Sequence, residues 1–448
     1  MRKNKLLALG LAALMAASVA GCSTPSASVD DTKAAESGSD SSQSAAAGEK
    51  IFRYSNTADI ATIDPDKTNS VADATVSYHI YDGLYRNVQG ELQPATAESY
   101  EVSDDGLVYT FKLRQDTKWS DGQTVTAKDY EYGMKRLCDP AAACPASYLG
   151  AVLKNGAKVS EGELPVDELG VKALDDFTLE VTLENPADYF VSMTSMSAFM
   201  PVREDLVEKY GNEFGGSADK QVYNGPFVVS EYSNGKVELT KNPDYYDNEK
   251  ISLDGVEILT VADQTTAVSM FDAGELDLAE VPTELAAQYE GKTQSYYNGA
   301  DDYAALNHRN KYLANKNLRL AMNYAVNREE YILLTHNGLY QANQRYVLPQ
   351  VRGVDGEYGT EYPLEAFPLQ GDMDKAKEYL DTALSELGLS SASDISLKLV
   401  VSDSDTAKKE AEVVANQWKN NLGINVDINM VPYATRNALL VPDSDEYD

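Results

Sequence analysis

The feature that most narrows the fold is a run near the end of the 448-residue chain in which the hydrophobic period changes twice. Ile395, Leu397 and Leu399 alternate with Ser396 and Lys398 at the period of two that a strand requires. Ser404 or Asp405 can then cap a helix that carries Ala407, Ala411, Val414, Ala415, Trp418 and Leu422 on one face, and Gly423 stops it. Ile424, Val426, Ile428 and Met430 alternate with Asn425, Asp427 and Asn429. Strand, helix and strand of this length form a right-handed βαβ crossover. That unit contains a parallel strand pair and places the chain in the mixed α/β class.

The rest of the second half is helical in rhythm. Leu318, Met322, Ala325 and Val326 recur at helical spacing before Gly338, and Met373, Ala376, Tyr379, Leu380, Ala383, Leu384 and Leu387 do so before Gly388. The first half reads differently, as antiparallel pieces. Val108 to Leu113 is rich in strand formers and follows the turn-like Asp104-Asp105-Gly106. Phe177, Leu179, Val181 and Leu183 alternate with polar residues. Phe227–Tyr232 and Lys236–Lys241 are separated by Asn234-Gly235, residues that tolerate the positive φ angles of a type I′ hairpin.

At roughly 150 residues per domain the length suggests about three domains. A 43% hydrophobic fraction with 29 Tyr is that of a folded body, yet Asp+Glu outnumber Lys+Arg by 71 to 38, a net charge of −33. Such a surface on average repels polyanions, which excludes nucleic acid as a partner. The first residues are targeting rather than fold: Arg2, Lys3 and Lys5 precede an uncharged run from Leu6 to Ala17 of signal-peptide length. Val19-Ala20-Gly21-Cys22 then resembles a bacterial lipobox, in which Cys22 is acylated and becomes the first mature residue; the alternative is an ordinary signal peptide with a chance Cys. Ser23 to Glu49 holds Ser, Ala, Asp and Gly without an aromatic residue, the composition of a flexible tether. The expected location is extracytoplasmic, with the membrane reached through the lipid alone. In that oxidising compartment Cys138 and Cys144 can close a small loop, a disulfide being expected over two free thiols.

Catalytic patterns are missing from the sequence: no Gly-x-Ser-x-Gly elbow, no Walker loop, no Gly-x-Gly-x-x-Gly and no His-Glu-x-x-His. His79, His308 and His336 lie far apart and read as surface or packing residues. Acidic residues are too abundant to single out a pair, and Asp64-Pro65-Asp66 and Asp403-Ser404-Asp405 lack the Gly and distal Glu of a calcium loop. We therefore expect no cofactor, no metal site and no enzymatic activity.

A set of collinear blocks carries a resemblance. Ala97-Glu98-Ser99-Tyr100, Tyr109 to Arg114, Lys118-Trp119-Ser120-Asp121-Gly122 and Val125-Thr126-Ala127-Lys128-Asp129 resemble the signature of family 5 solute-binding proteins, the oligopeptide and dipeptide receptors of ABC importers. Ile63-Asp64-Pro65, Tyr81-Asp82-Gly83-Leu84, Leu169 to Ala173, Thr178 to Leu183, Asn224-Gly225-Pro226-Phe227, Lys241-Asn242-Pro243, Ala273 to Asp277 and Arg319 to Arg328 fit in the same order. The resemblance runs from about Ile51 to the last residue.

It implies a two-lobed periplasmic-binding-protein type II fold, a hinged trap with an extra small domain, its last lobe incomplete. On that plan residues 1–21 are the signal peptide and 22–50 the tether. Residues 51–81 and 206–306 form the first lobe, 82–205 the small domain and 307–448 the second lobe. The implied partners are a peptide ligand, held as an added strand between the lobes, and the permease subunits of the importer, with the receptor a monomer. The implied ligand walls are Asn69, Ser70 and Val71 after the Asp-Pro block, and Tyr433. Plain surface loop and core packing are the respective alternatives. Trp119 is expected to be structural.

Three departures from the family pattern bear on the ligand. The Tyr that follows a Ser-Pro in oligopeptide receptors is replaced by Cys144-Pro145-Ala146-Ser147, a His near the start of the last long helix falls on Ala407, and the acidic residue that captures the peptide amine lies just beyond the segment matching Asp445-Glu446-Tyr447-Asp448. The resemblance thus implies an incomplete reading of a longer gene. The functional alternatives are the same fold with another solute (a sugar oligomer, a metal chelate or a signalling peptide), or a non-functional gene fragment. A secreted hydrolase would need a carboxylate pair or nucleophile that the sequence does not display.

Overall fold

The computed structural model describes residues 49–448 apart from Asn69, residues 365–366 and residues 441–443, and leaves the side chains of Ala434 and Asn437 undescribed. The signal-peptide, lipobox and most of the tether expectations, Cys22 included, fall outside the described residues.

In chain order the strands are β1 (Ile51–Asn56), β2 (Tyr85–Val88), β3 (Glu91–Pro94), β4 (Ala97–Val102), β5 (Val108–Leu113), β6 (Val171–Asp175), β7 (Thr178–Thr182), β8 (Phe227–Ser233), β9 (Lys236–Lys241), β10 (Gly255–Thr260), β11 (Ser396–Ser402) and β12 (Asn425–Val431). They form one sheet in the order β1-β10-β9-β8, a second in the order β4-β5-β7-β6, the hairpin β2-β3 and the pair β11-β12. The second sheet is antiparallel throughout, as the alternating patterns require. In the first sheet β1 runs parallel to β10, with Ile51 opposite Gly255 and Asn56 opposite Thr260.

Two hydrophobic cores organise these elements. One gathers buried residues from Tyr54 to Ile258 and includes Phe111, Trp119, Tyr130, Phe190 and Phe199. The other runs from Leu313 to Ile424 and contains Leu318, Met322, Leu380, Ile395 and Trp418. Each fully buried large side chain contributes about 1.5–3 kcal/mol, and the aromatic pairs in the first core meet tilted or edge-on, as Phe190 does with Tyr109 at 5.2 Å.

The βαβ unit forms as its pattern predicts. Strands β11 and β12 are parallel, Ser396 opposite Asn425. Ser404 Oγ accepts from Ala407 N at 3.2 Å to cap the helix Asp405–Leu422, and Gly423 ends it at φ +80°. The Trp418 indole N–H donates to Met322 O at 3.0 Å, tying that helix to the helix Lys316–Tyr324.

Two local expectations change. The hairpin between β8 and β9 has its two-residue loop, but only Gly235 takes positive φ (+83°), so the turn is not type I′. The apolar period through Leu318 to Val326 also does not run on to Gly338. It breaks at Asn327, whose side chain caps the next helix, Arg328–His336, by accepting from Glu330 N at 3.0 Å. Gln417 fixes the break from the facing helix: its Oε1 accepts from Asn327 N at 2.9 Å and its Nε2 donates to Asn327 O at 3.1 Å.

The sequence blocks converge in three dimensions. Asn224 Nδ2 donates to Asp82 O at 3.0 Å while its Oδ1 accepts from Asp82 N at 3.1 Å, and Asn242 Nδ2 donates to Gly225 O at 2.8 Å. A Cβ on Gly225 would sit 2.5–2.6 Å from the Ile80–Tyr81 peptide, so no larger residue fits there. In Trp119-Ser120-Asp121-Gly122, Ser120 exchanges two hydrogen bonds with Tyr223, and Asp121 accepts from Arg203 at 3.0 Å. Trp119 is buried. These blocks are structural knots.

Candidate functional site

The Asp64-Pro65-Asp66 turn begins with a buried ion cluster. Arg136, in the last turn of the helix Ala127–Cys138, donates from Nη1 to Asp64 Oδ1 at 2.8 Å and from Nη2 to Asp64 Oδ2 at 2.6 Å, and Nη1 also reaches Asp66 Oδ2 at 2.7 Å. The helix starts on the carboxylate of Asp129, which accepts from Thr126 N at 2.7 Å and from its hydroxyl at 3.0 Å. One guanidinium thus serves two buried carboxylates. Burial foremost, and the charge of Asp64, push the Asp66 carboxyl above its usual range against the opposing pull of Arg136. Asp66 Oδ1 is buried without a hydrogen-bond partner among the described residues.

The chain after this turn is pinned at several points. Lys67 Nζ donates to the carbonyls of Ala142 and Ala143, the latter at 3.3 Å. The Thr68 hydroxyl donates to Pro65 O at 3.0 Å and meets Ser197 Oγ at 2.9 Å. Gln221 Nε2 donates to Ile63 O at 3.0 Å, and Ile63 N donates to Gly215 O at 3.1 Å. Ser70 then caps the helix Val71–Ile80, its Oγ accepting from Asp73 N at 3.1 Å, while the Asp73 carboxylate reaches back to Ala61 N at 2.8 Å. The result is a rigid platform with an open rim: Val71 is 85% exposed. Ser70 uses its oxygen as an acceptor, which leaves the hydroxyl hydrogen to donate to a ligand carbonyl.

Of the four expected wall residues, Asn69 lies outside the described residues. Tyr433 stands at the start of the helix Tyr433–Leu439, just after β12, and is 65% exposed, so it is not a core residue at the strand end. No hydrogen bond, ion pair or ring contact among the described residues joins Ser70 or Val71 to Tyr433. The helix that follows Ser70 packs into the first core through Val76 and Ile80, and Tyr433 lies in neither core. A shallow polar hollow of about 430 Å³, with Glu91, Gln350, Arg352, Asp355 and Glu357 in its lining, includes none of them.

One other expectation is corrected. Cys138 and Cys144 are separate buried thiols, not a bridged pair. Cys144 Sγ donates to Arg136 O at 3.4 Å, and Cys138 Sγ occupies the space against Gly150, where a Cβ would lie 2.2 Å away. Burial pushes their pKa values up to about 11 for Cys138 and about 12 for Cys144, so both are protonated and unreactive at neutral pH. Asp302, His336 and Glu410, far apart in sequence, each place one ligand-type atom within 4.8 Å of the others. His79 is a packing residue: its Nε2 lies 3.2 Å from Tyr54 OH, and burial lowers its pKa to about 4.

Residues 91–448 match the family of bacterial extracellular solute-binding proteins, family 5, middle. The oligopeptide-binding protein OppA of Bacillus subtilis is 32% identical over 378 residues, spanning 82% of this chain and 68% of that protein. The dipeptide-binding protein DppE of the same organism is 32% identical over 434 residues, spanning 95% of this chain and 77% of that protein. The structure of Listeria monocytogenes OppA bound to peptide superposes with a TM-score of 0.69 at 29% identity, covering 88% of this chain and 79% of that one. The fold is that of the periplasmic binding proteins. The chain belongs to family 5 of the extracellular solute-binding proteins, a family of binding proteins rather than enzymes. No helix among the described residues is long and apolar enough to cross a membrane.

Proposed function

We propose that this protein is a lipid-anchored extracytoplasmic receptor that binds oligopeptides between two lobes and delivers them to an ABC permease. The observation that carries the reading is the likeness to OppA captured with peptide, 29% identical over most of the chain. The platform at Ser70 and Val71 and the exposed Tyr433 supply what a strand-like ligand needs: a hydroxyl donor for a backbone carbonyl and apolar surface for tolerant side-chain contact. Walls on separate lobes would make ligand contacts complete only on closure, which couples binding to the shape a permease reads. Acylation of Cys22 and the Ser- and Ala-rich tether after it would hold the receptor at the membrane. On this reading residues 51–81 and 206–306 are the first lobe, 82–205 the small domain and 307–448 the second lobe.

A second reading has a specific support. The probable deoxycholate-binding periplasmic protein YgiS of Escherichia coli is 31% identical over 397 residues, so an amphipathic steroid is a competing solute for the same fold. Calorimetric titration with a mixture of three- to five-residue peptides and, separately, with deoxycholate distinguishes the two. Saturable heat with peptides alone supports the peptide receptor, and saturation with deoxycholate alone replaces it.

A further inference from the structure

We propose that Asp302, His336 and Glu410 form a binding site for one divalent transition-metal ion of the zinc type, outside the ligand walls. Three segments bring them together. His336 ends the helix Arg328–His336, Glu410 lies in the second turn of the helix Asp405–Leu422, and Asp302 precedes the second core. Each offers one ligand atom, and the three lie within 4.8 Å of one another. His336 Nε2 is 3.0 Å from Glu410 Oε1.

The His336 ring is fixed. It is buried and stacks on Tyr340 with centroids 3.9 Å apart and planes 3° from parallel, which holds the ring plane, and its Nε2 faces Glu410. Asp302 is exposed and adjustable. Ligand atoms at about 2.0–2.2 Å from a tetrahedral zinc lie about 3.3–3.5 Å apart. The His336–Glu410 separation is already close to that value. Asp302, with its ligand oxygen within 4.8 Å of the other two ligand atoms, reaches it by a side-chain shift of at most about 1.5 Å.

The charge balance asks for a cation. Neither carboxylate pairs with a lysine or arginine among the described residues; the adjacent Lys409 turns its Nζ to Thr335 O at 3.4 Å. A neutral imidazole beside two carboxylates carries two negative charges, which a divalent ion cancels. One nitrogen and two oxygens from three protein residues, with a fourth position open, suit zinc and its neighbours better than calcium. A bound ion would staple the segment around Asp302 to the two helices of the second core.

The test uses the full chain, free of purification tags and stripped with a chelator, titrated with ZnCl₂ and separately with CoCl₂. The expected result is a site of one equivalent with a micromolar or tighter Kd and a rise in melting temperature with zinc. His336→Gln and Glu410→Gln should weaken binding at least tenfold. Asp302→Asn, at an exposed position that leaves folding intact, should weaken it several-fold with unchanged circular dichroism. Zinc binding that is absent from the native chain, or that keeps its affinity in Asp302→Asn and His336→Gln, overturns the proposal.

Discussion

Arg136 meets Asp64 in a two-pronged ion pair, Nη1 to Oδ1 at 2.8 Å and Nη2 to Oδ2 at 2.6 Å, with both side chains buried. The pair anchors the turn from which Ser70 and Val71 project. Replacing Arg136 with Met would leave two carboxylates buried without their cation and should cost about 3–5 kcal/mol in urea unfolding. Arg136→Lys should recover only part of that, since an ammonium cannot bridge two oxygens in plane. A loss below about 1 kcal/mol for Arg136→Met would show that the cluster does not anchor the turn.

The excess acid in that cluster has a pH signature. Folding raises the pKa of Asp66, so between about pH 4 and neutrality the folded state binds more proton than the unfolded state. Its contribution to stability is therefore present at low pH and lost as the pH rises. Asp66→Asn cannot lose that proton. The difference in urea midpoint between variant and native chain should grow in the variant's favour from pH 4 to pH 8; a flat difference contradicts the assignment.

Gly215 takes φ +72°, and a Cβ there would lie 2.5 Å from Asp64 Cβ and 2.6 Å from its backbone N. Gly215→Ala should destabilise the chain by at least about 1–3 kcal/mol, combining backbone strain with collision. Gly388→Ala, at φ +66° with open space around it, should cost only about 1 kcal/mol. Equal losses in thermal unfolding would show that the contact with Asp64 carries no weight.

Much of the fold could be read from residue pattern because the relevant forces are local. Caps and stops work within one turn of helix, so Ser404, Gly388 and Gly423 announced their helices, and period-two alternation announced β7, β11 and β12. The parallel pairing of β1 with β10 joins residues about two hundred positions apart, and no local pattern encodes it. The break at Asn327 depends on Gln417 in a distant helix, so the apolar period alone ran past it. Arg136 carries no local sequence signal, because its partners Asp64 and Asp66 lie 72 and 70 positions away. Val71 and Tyr433 came from the family resemblance, and the structure adds that both stand open to solvent.

The two internal thiols should behave as core residues. In the native chain Cys138 and Cys144 should resist a thiol reagent at pH 8, react on addition of urea, and show no change in melting temperature with reductant. A lowered melting temperature on reduction would reveal a disulfide between them.

Tyr433 separates binding from stability. Because it is exposed, Tyr433→Ala should change the urea midpoint by an amount within about 0.5 kcal/mol, yet weaken peptide affinity several-fold. Tyr433→Phe should retain most of the affinity if the ring supplies contact area. Unchanged affinity in Tyr433→Ala removes this residue from the ligand wall.

Isothermal titration of the full chain with short peptides decides whether the protein is a peptide receptor. A peptide receptor should show saturable binding, one peptide per chain, with a Kd in the micromolar range or tighter, about −8 kcal/mol or more favourable. No saturable heat with any peptide mixture, from a chain shown to be folded by cooperative unfolding, would contradict it.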